Sequence, residues 1–411
     1  MQATGRGWWH QFPAALQELA TVRLVASFGA GGILYITPMV FHQAQFSASQ
    51  VLLGVSLAAL AGTLSRFASG WLLDRGLSCG LPVLLAALFG FLGDGCLLVA
   101  QQLPGYVTGQ LLLGIAAGLY WPAVELAVPL CCQTVPSARG YALVRSADAL
   151  GVAGGALCGA LLAWLQQLRG IYLVDMGAVV VLATLLLLKP LPRAPRSGRA
   201  GVTPIGLGQW LPPLLPLLLV SAVATAIPAL MQSALPLDLV RGSLERDGQP
   251  EAISALLIGL QLGLLVMIQW PVGRALAERS VAFGLGVSLA CFSGGAALLA
   301  LSGLSDSHGI GLVIAALVLV AFGEAAFLPT ATEAVVELSP EGHGGLAMAL
   351  FSQCFALSAF AAPLVAGVLL DRQGHGLVLW LLMALICALS LPLLQPIRRR
   401  ARARLAAQAE A

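Results

Sequence analysis

Long apolar runs alternate with short polar segments along almost the whole chain. A helix needs about 20 apolar residues to cross the hydrocarbon core of a bilayer, and twelve runs reach that length. We predict membrane-spanning helices near residues 21–42, 50–73, 81–101, 106–131, 140–165, 171–191, 209–235, 252–272, 281–303, 310–335, 344–370 and 376–397. The pattern therefore predicts an all-α membrane protein with twelve transmembrane helices.

The composition supports this interpretation and excludes several functions. Hydrophobic residues make up 59% of the 411 residues and charged residues only 9%, against about 25% charged in soluble domains. The single lysine, Lys189, does not lie in a phosphate-binding loop, so an ATP-driven pump is excluded on this chain. The histidines and cysteines show neither metal-site nor disulfide spacing. We therefore predict no metal, no cofactor, no catalytic residue and no enzyme.

The distribution of basic residues predicts the orientation. Lys and Arg concentrate in cytoplasmic segments of membrane proteins, and with both termini inside, only four of the 21 basic residues fall in outer loops. The net charge of +3 follows from this bias, so no nucleic-acid partner is predicted. We expect a multi-pass monomer in the cell (inner) membrane. The four outer exceptions are Arg169, Arg241, Arg246 and Arg372.

The chain divides into two similar halves. The segment KPLPRAPRSGRAGVTPIGLG, residues 189–208, leaves six spans on each side. Pro136 and Pro340, and likewise Gly70 and Gly273, recur at nearly the same offset, about half the chain, which indicates an internal duplication typical of secondary transporters. The predicted parts are a cytoplasmic N-terminal segment 1–20, a six-helix half 21–191, a basic linker 192–208, a six-helix half 209–397 and a basic cytoplasmic tail 398–411.

Two short motifs give the chain a family resemblance. One follows span two and matches the pattern G-x-L-x-D-R-x-G-R-R at its first four fixed positions, without the trailing basic residues. The other begins span five and matches P-x-x-R-G-x-A. The matching residues are Gly70, Leu72, Asp74 and Arg75, and Pro136, Arg139, Gly140 and Ala142. On these motifs, the topology and the repeat, the chain resembles the major facilitator superfamily (MFS).

The resemblance implies a conformational latch in the loop between spans two and three. Gly70 would allow close helix approach, and Asp74, next to Arg75, would bind the facing half near a helix N-terminus, where a carboxylate is favoured. The alternative is a solvated charge pair in a loop. A similar string, AGVLLDRQG at residues 366–374, falls on the opposite side of the membrane. There we predict an ordinary helix terminus.

Small residues form stripes on four of the predicted helices. Such stripes let helix backbones approach closely in lipid. In the resembled fold helix two pairs with helix eleven, and five with eight, across the halves, and the stripes suit those contacts. They comprise Gly54, Ala58 and Gly62; Gly151, Gly155 and Gly159; Gly259 and Gly263; and Ser358, Ala362 and Ala366.

Polar residues within the spans define a candidate substrate cavity. One face of span four carries an amide, an aromatic ring and a carboxylate, with glycines between them that we expect to leave room. The resemblance places helices one, four, seven and ten around a central cavity. Ordinary packing is the alternative for the two aromatic residues. The candidate cavity residues are Tyr35, Gln110, Trp121, Thr225 and Gln232, and the intervening glycines are Gly114 and Gly118.

Carboxylates at membrane depth are costly and mark candidate proton sites. We predict Glu125, Glu324 and Asp94 as proton-coupling residues. The alternative for Glu125 is a pair with Arg145 or with an arginine nearer the start of span five. Arg145 and Asp148 are three residues apart and are predicted to neutralise one another as an intramembrane ion pair, with a gating role as the alternative.

These features predict a secondary active transporter that moves a small organic solute by alternating access, coupled to H⁺, with efflux favoured over uptake by resemblance alone. Its partners would be the solute, protons and the lipid bilayer. Drug/proton antiporters of the family commonly carry an arginine where this chain has Gln110, and a proline in helix five that GVAGGALCG lacks; both differences argue against that activity. The alternatives are an uncoupled facilitator, an uptake symporter, or a non-transporting receptor or assembly factor with the same fold.

Overall fold

The computed structural model describes residues 11–133, 135, 137–193, 207–277, 279–338 and 344–399. These residues are almost entirely helical. The helices are α1 (Ala14–Gln43), α2 (Ala48–Asp74), α3 (Gly80–Val99), α4 (Leu103–Cys131), α5 (Ser137–Trp164), α6 (Gly170–Leu188), α7 (Leu207–Arg241), α8 (Glu251–Ala277), α9 (Val281–Ser302), α10 (Gly309–Leu338), α11 (Gly344–Gln373) and α12 (Leu377–Ser390), the last followed by a 3₁₀ turn at Leu391–Leu393.

Within the described residues, twelve helical segments are long and apolar enough to cross a membrane. The predicted number and order of spans are therefore confirmed. Several helices extend beyond the predicted spans; α7 has 35 residues, which gives a length of about 52 Å at 1.5 Å per residue. The reason is that hydropathy marks where the chain leaves the lipid, whereas backbone hydrogen bonding continues through polar residues.

The chain forms two compact units. Unit 1 comprises Met1–Ala44 and Gly54–Arg199, and unit 2 comprises Gln45–Leu53 and Ala200–Ala411. In unit 1, α1 packs on α5 and α6, and α3 packs on α4 and α6. In unit 2, α7 packs on α11 and α12, and α9 packs on α10 and α12. Each pair in unit 1 thus recurs six helices later in unit 2, as a duplicated arrangement requires.

Helices α1 and α5 touch through their backbones. A Cβ atom on Gly155 would overlap the carbonyl oxygen of Phe28, and one on Gly151 would lie 2.5 Å from the carbonyl oxygen of Leu24. Small residues permit such close contact between helices in lipid. The α5 stripe therefore packs on α1 of the same unit, which differs from the predicted contact with helix eight.

The backbones of helices α2 and α4 are also in close contact. This contact corrects the prediction that the α4 glycines leave room for a substrate and the predicted partner of the α2 stripe. Cβ atoms on Gly114 and Gly118 would overlap the carbonyl oxygens of Ala58 and Gly62. The α4 glycines therefore leave no open space, because the α2 backbone occupies it. The small-residue stripe on α2 therefore packs on α4 of the same unit, which differs from the predicted contact with helix eleven.

The predicted outer arginine Arg169 caps a helix. Its guanidinium donates to the carbonyl oxygens of Leu98 and Ala100, each at 2.7 Å, and to that of Leu97 at 3.3 Å. The last four carbonyl groups of a helix have no partner within the helix. Arg169, which precedes α6, therefore satisfies the C-terminal end of α3.

A second outer arginine, Arg246, forms a buried ion pair in unit 2. Its Nη2 lies 2.9 Å from Oδ2 of Asp238, and both side chains are only 2% exposed. Nη1 donates to the hydroxyl of Ser302 at 2.8 Å, and Nε1 of Trp380 donates to Asp238 at 3.1 Å. These bonds connect the ends of α7 and α9 to the first turn of α12.

Asp371 caps the N-terminus of α2 within unit 2. Its carboxylate accepts the backbone N–H groups of Ala48 at 2.9 Å and Ser49 at 2.7 Å. Ser47 and Gln50 form a reciprocal capping box beside it. Together they satisfy donors that the first turn of a helix leaves unpaired.

Asp371 also forms an ion pair of 3.1 Å with Nη1 of Arg241, at the end of α7. The sequence predicts an ordinary helix terminus at residues 366–374, and this prediction is incomplete. Asp371 does lie in the last turn of α11, but it also stabilises the start of α2, which is far away in the sequence.

We expect Asp371→Ala to lower the free energy of unfolding by about 0.5–2 kcal/mol, the usual cost of losing a helix cap. The change leaves two backbone donors of α2 and the Arg241 guanidinium without this acceptor. Thermal unfolding of the purified protein in detergent measures the effect. The adjacent, exposed Arg372 offers the control Arg372→Gln, expected within about 0.5 kcal/mol of wild type. Equal unfolding temperatures for both variants would contradict the capping role.

Candidate functional site

A cluster of charged side chains lies within unit 1, where α1, α4 and α5 meet. Arg145 of α5 pairs with Glu125 of α4, with 3.0 Å between Nη2 and Oε1. Arg23 of α1 pairs with Asp148 of α5, with 2.9 Å between Nη2 and Oδ1. The hydroxyl of Ser27 donates to the same Asp148 oxygen at 2.5 Å. The cluster thus holds two ion pairs, each between different helices.

The predicted ion pair between Arg145 and Asp148 is wrong. Both residues lie on one face of α5, but each finds its opposite charge on a neighbouring helix. A basic residue N-terminal to an acidic one is the poorer order for pairing along a helix, so the contacts between helices prevail. The structure instead agrees with the alternative for Glu125, a pair with Arg145.

Trp121 of α4 lies between the two arginines. The guanidinium carbon of Arg23 is 3.7 Å from the Trp121 ring centroid, and that of Arg145 is 5.9 Å away. Cations favour the face of an indole ring at these distances. Trp121 is therefore in contact with the charged cluster as well as with apolar neighbours.

The two ion pairs differ in their access to solvent. Arg23 is 3% exposed and Asp148 is 21% exposed, so this pair is structural. Arg145 is 47% exposed and Glu125 is 34% exposed. An exposed ion pair contributes little stability, so its members can exchange partners with a solute. The arrangement can receive an anionic group at Arg145, a cationic group at Glu125 and an apolar group on Trp121.

The other predicted cavity residues are mostly buried. Tyr35 and Gln110 have little exposed surface, and Gln232 is half-buried. The hydroxyl of Thr225 lies 2.9 Å from that of Ser358 and bonds to the backbone of its own helix. Thr225 therefore holds α7 against α11, a contact that hydropathy cannot reveal.

The predicted proton site in unit 2 has a polar neighbour. Glu324 of α10 is half-buried, and its side chain lies beside the amide of Gln261 on α8. Gln261 is buried, and neither of its amide atoms forms a hydrogen bond among the described residues. The two side chains thus form a small polar site in an otherwise apolar region.

Sequence reasoning missed two charged residues. Arg23 lies at the start of the first predicted span, and Asp175 lies in the sixth. Asp175 is buried next to Asp94, the third predicted proton site. The signal for both was present, since each is a charge inside an apolar run, where charges are costly.

The predicted latch is described only in part. Among the described residues, no atom lies within 4 Å of the position of a Cβ on Gly70. The guanidinium carbon of Arg75 lies 3.6 Å from the ring centroid of Trp71. The side chain of Asp74 lies outside the described residues, as do Pro136 and the side chain of Arg139.

The sequence profile of the Major Facilitator Superfamily matches residues 19–302 and 271–411, which together cover nearly the whole chain. The chain belongs to the Major Facilitator Superfamily. The predicted fold class and family are therefore confirmed. Its family and fold are those of multi-pass membrane transporters.

Solved structures show the same fold at low sequence identity. A POT family transporter in complex with 5-aminolevulinic acid is 15% identical, with a TM-score of 0.77 over 93% of this chain and 97% of that one. A mutant of the nucleoside transporter NupG is 11% identical, with a TM-score of 0.79 over 92% and 98%. A mutant of the peptide transporter POT in complex with alafosfalin is 15% identical, with a TM-score of 0.77 over 97% and 96%. Curated protein sequences gave no match.

Proposed function

We propose that this MFS protein is a secondary active transporter that moves a small organic solute by alternating access, driven by protons. The observation that carries the proposal is the partly exposed pair of Glu125 and Arg145 beside the ring of Trp121. We place it in the cell membrane with both termini in the cytoplasm, because the basic residues concentrate in the segments that this orientation leaves inside. Efflux is the favoured direction on family resemblance.

The chemistry of the cluster favours an amphipathic solute with at least one charged group. A carboxylate on the solute would replace Glu125 at Arg145, and an amine would replace Arg145 at Glu125. The guanidinium offers paired donors to a carboxylate, and the ring of Trp121 offers an apolar face. The complexes of the similar transporters with 5-aminolevulinic acid and alafosfalin support organic solutes of this size.

Glu324 is the proposed proton-coupling residue. Helix α10 contains neither Lys nor Arg, and the neighbouring Gln261 is a neutral amide that accommodates either form of the carboxyl group. An ionised carboxylate without a cationic partner is costly at membrane depth. Gain and loss of a proton at Glu324 would therefore favour different conformations in the transport cycle.

The inner latch at Gly70, Asp74 and Arg75 also belongs to this proposal. The family resemblance implies close helix approach at Gly70, and we propose that Gly70 allows this approach during the transport cycle.

Transport into proteoliposomes tests the proposal. The solutes are 5-aminolevulinic acid, a dipeptide and a mixture of metabolites and drugs, read by mass spectrometry with and without a pH gradient. For one proton per solute, each pH unit supports about tenfold accumulation. We expect Glu324→Gln to abolish accumulation. Glu333→Gln, an exposed change on the same helix, is expected to retain it.

The outcomes distinguish the alternatives. Solute movement that ignores both the gradient and Glu324→Gln would identify an uncoupled facilitator. Failure of the folded protein to move any solute would favour a receptor or assembly factor. Accumulation that survives Glu324→Gln but requires a pH gradient would place proton coupling at another carboxylate.

A further inference from the structure

Asp94 of α3 is a buried acid without a hydrogen-bond donor. Its side chain has no exposed surface, and neither carboxylate oxygen has a hydrogen-bond partner among the described residues. Buried polar groups are almost always satisfied, and a buried charge is normally paired. Asp94 therefore requires a ligand or a proton that the protein side chains do not supply.

The neighbour of Asp94 is a second acid. Asp175 lies on α6, which packs directly on α3, and it interacts electrostatically with Asp94; Asp175 is only 7% exposed. A Cβ atom on Gly29 would overlap the Asp175 carboxylate. The backbone of α1 therefore packs directly against Asp175. The acid pair, Asp94 and Asp175, is enclosed by α1, α3 and α6.

Among the described residues, no basic side chain forms an ion pair with the acid pair. Within the described chain, neither aspartate forms an ion pair. Arg169 is the nearby basic group, and its guanidinium is committed to the carbonyl groups at the end of α3. Two buried tyrosines lie nearby; Tyr172 of α6 donates to the hydroxyl of Thr37 at 3.2 Å, and Tyr106 lies on α4.

We propose that Asp94 and Asp175 form a proton-binding site that holds one proton between their carboxyl groups. The protonated acid donates to the ionised one, which supplies the donor that Asp94 lacks. One proton taken from water changes the charge of the pair from two negative charges to one, and it removes the repulsion between neighbouring carboxylates. The site is distinct from Glu324 and from the pair of Glu125 and Arg145.

The position of the acid pair controls when its proton can exchange. Water does not reach Asp94 while α1, α3 and α6 remain in contact, so exchange requires local opening of unit 1. A proton bound here is therefore retained until these helices separate.

Isotope-edited infrared spectroscopy tests for the proton directly. Aspartate labelled with carbon-13 at the side-chain carboxyl shifts the carbonyl band of a protonated aspartic acid and leaves glutamic acid unchanged. We expect a labelled acid band near neutral pH in wild type, and its loss in Asp94→Asn, in Asp175→Asn and in the double variant. In each single variant the Asn amide donates to the remaining carboxylate, which stays ionised.

Asp306→Asn changes an exposed aspartate and is expected to leave the band unchanged. Absence of the band in wild type would overturn the proposal without any variant. A band that survives in the double variant would assign the proton elsewhere, and one that survives in a single variant would show that it is not shared.

The pH dependence of stability provides a second test. Aspartates of the unfolded chain are ionised above about pH 5, whereas the native pair retains a proton, so stability falls as pH rises. The folding equilibrium of wild type should lose up to about tenfold per pH unit relative to the double Asn variant. Parallel pH profiles for the two proteins would overturn the proposal.

Replacing N-methylglucamine with Na⁺ in the same experiment distinguishes a proton from a metal cation. We expect Na⁺ to leave the wild-type profile unchanged. Stabilisation of wild type by Na⁺ at high pH, lost in the double variant, would show that the acid pair binds Na⁺ and would overturn the proton assignment. Neither test requires transport, so both are independent of the proposed transport activity.

Discussion

Arg23→Met is expected to destabilise the protein by about 3–5 kcal/mol, the cost of removing one partner of a buried ion pair. Arg23 is 3% exposed and lies 2.9 Å from Asp148. Methionine retains most of the volume but removes the charge, so the Asp148 carboxylate keeps only the Ser27 hydroxyl as a donor within this cluster. Contact between the guanidinium and the ring of Trp121 is lost as well.

Thermal unfolding in detergent, with the yield of monodisperse protein, measures this effect. The control is Glu18→Gln on the same helix as Arg23; it breaks the exposed ion pair of Glu18 with Lys189, which follows α6, and is expected to cost at most about 1 kcal/mol. The double variant Arg23→Met, Asp148→Leu should recover much of the lost stability, because apolar replacement of both partners leaves no buried charge. Similar losses for Glu18→Gln and Arg23→Met would contradict a buried structural pair.

Gly155→Ala is expected to destabilise the protein by about 1–3 kcal/mol or more, the usual cost of adding atoms to a packed interior. The new methyl group would overlap the carbonyl oxygen of Phe28. A backbone atom cannot rotate away as a side chain can, so α1 and α5 must separate. Separation would also disturb the ion pair of Arg23 and Asp148, which bridges the same two helices.

Gly177→Ala gives a matched control on α6, because nothing lies within 4 Å of its new Cβ. Alanine is favoured over glycine in a helix by about 1 kcal/mol, so this variant should unfold at the same temperature as wild type or higher. Opposite shifts of the unfolding temperature for the two variants are the expected result. A stabilising effect of Gly155→Ala would show that α1 and α5 are less closely packed than described.

The helices were predictable because hydropathy is a local property. Every span predicted from an apolar run corresponds to a helix in the described chain, since a spanning segment must satisfy its own backbone hydrogen bonds. Helix ends were less predictable. The end of α11 illustrates this, because Asp371 caps the first turn of α2, which is more than three hundred residues away in the sequence.

The partners within the candidate site were not predictable, because they depend on how helices pack. Sequence spacing placed Arg145 and Asp148 on one helical face, but packing gave each a partner on another helix. Gly118 was predicted to leave room for a substrate, but it lies in a close helix contact, since the α2 backbone fills the space beside it. Asp94 was recognised as a charge in an apolar run, but its relation to Asp175 required the contact between α3 and α6.

The backbone contact between α1 and α5 also determines which part of the charged cluster can move. Because their backbones are in contact, we expect these two helices to move together, and they carry Arg23, Arg145 and Asp148. Glu125 belongs to α4, where Pro122 and Pro129 interrupt the hydrogen-bond ladder on either side of it. Prolines are the usual sites of helix bending, so this part of α4 is the natural hinge. Bending there would carry Glu125 away from Arg145 while the pair of Arg23 and Asp148 stays intact.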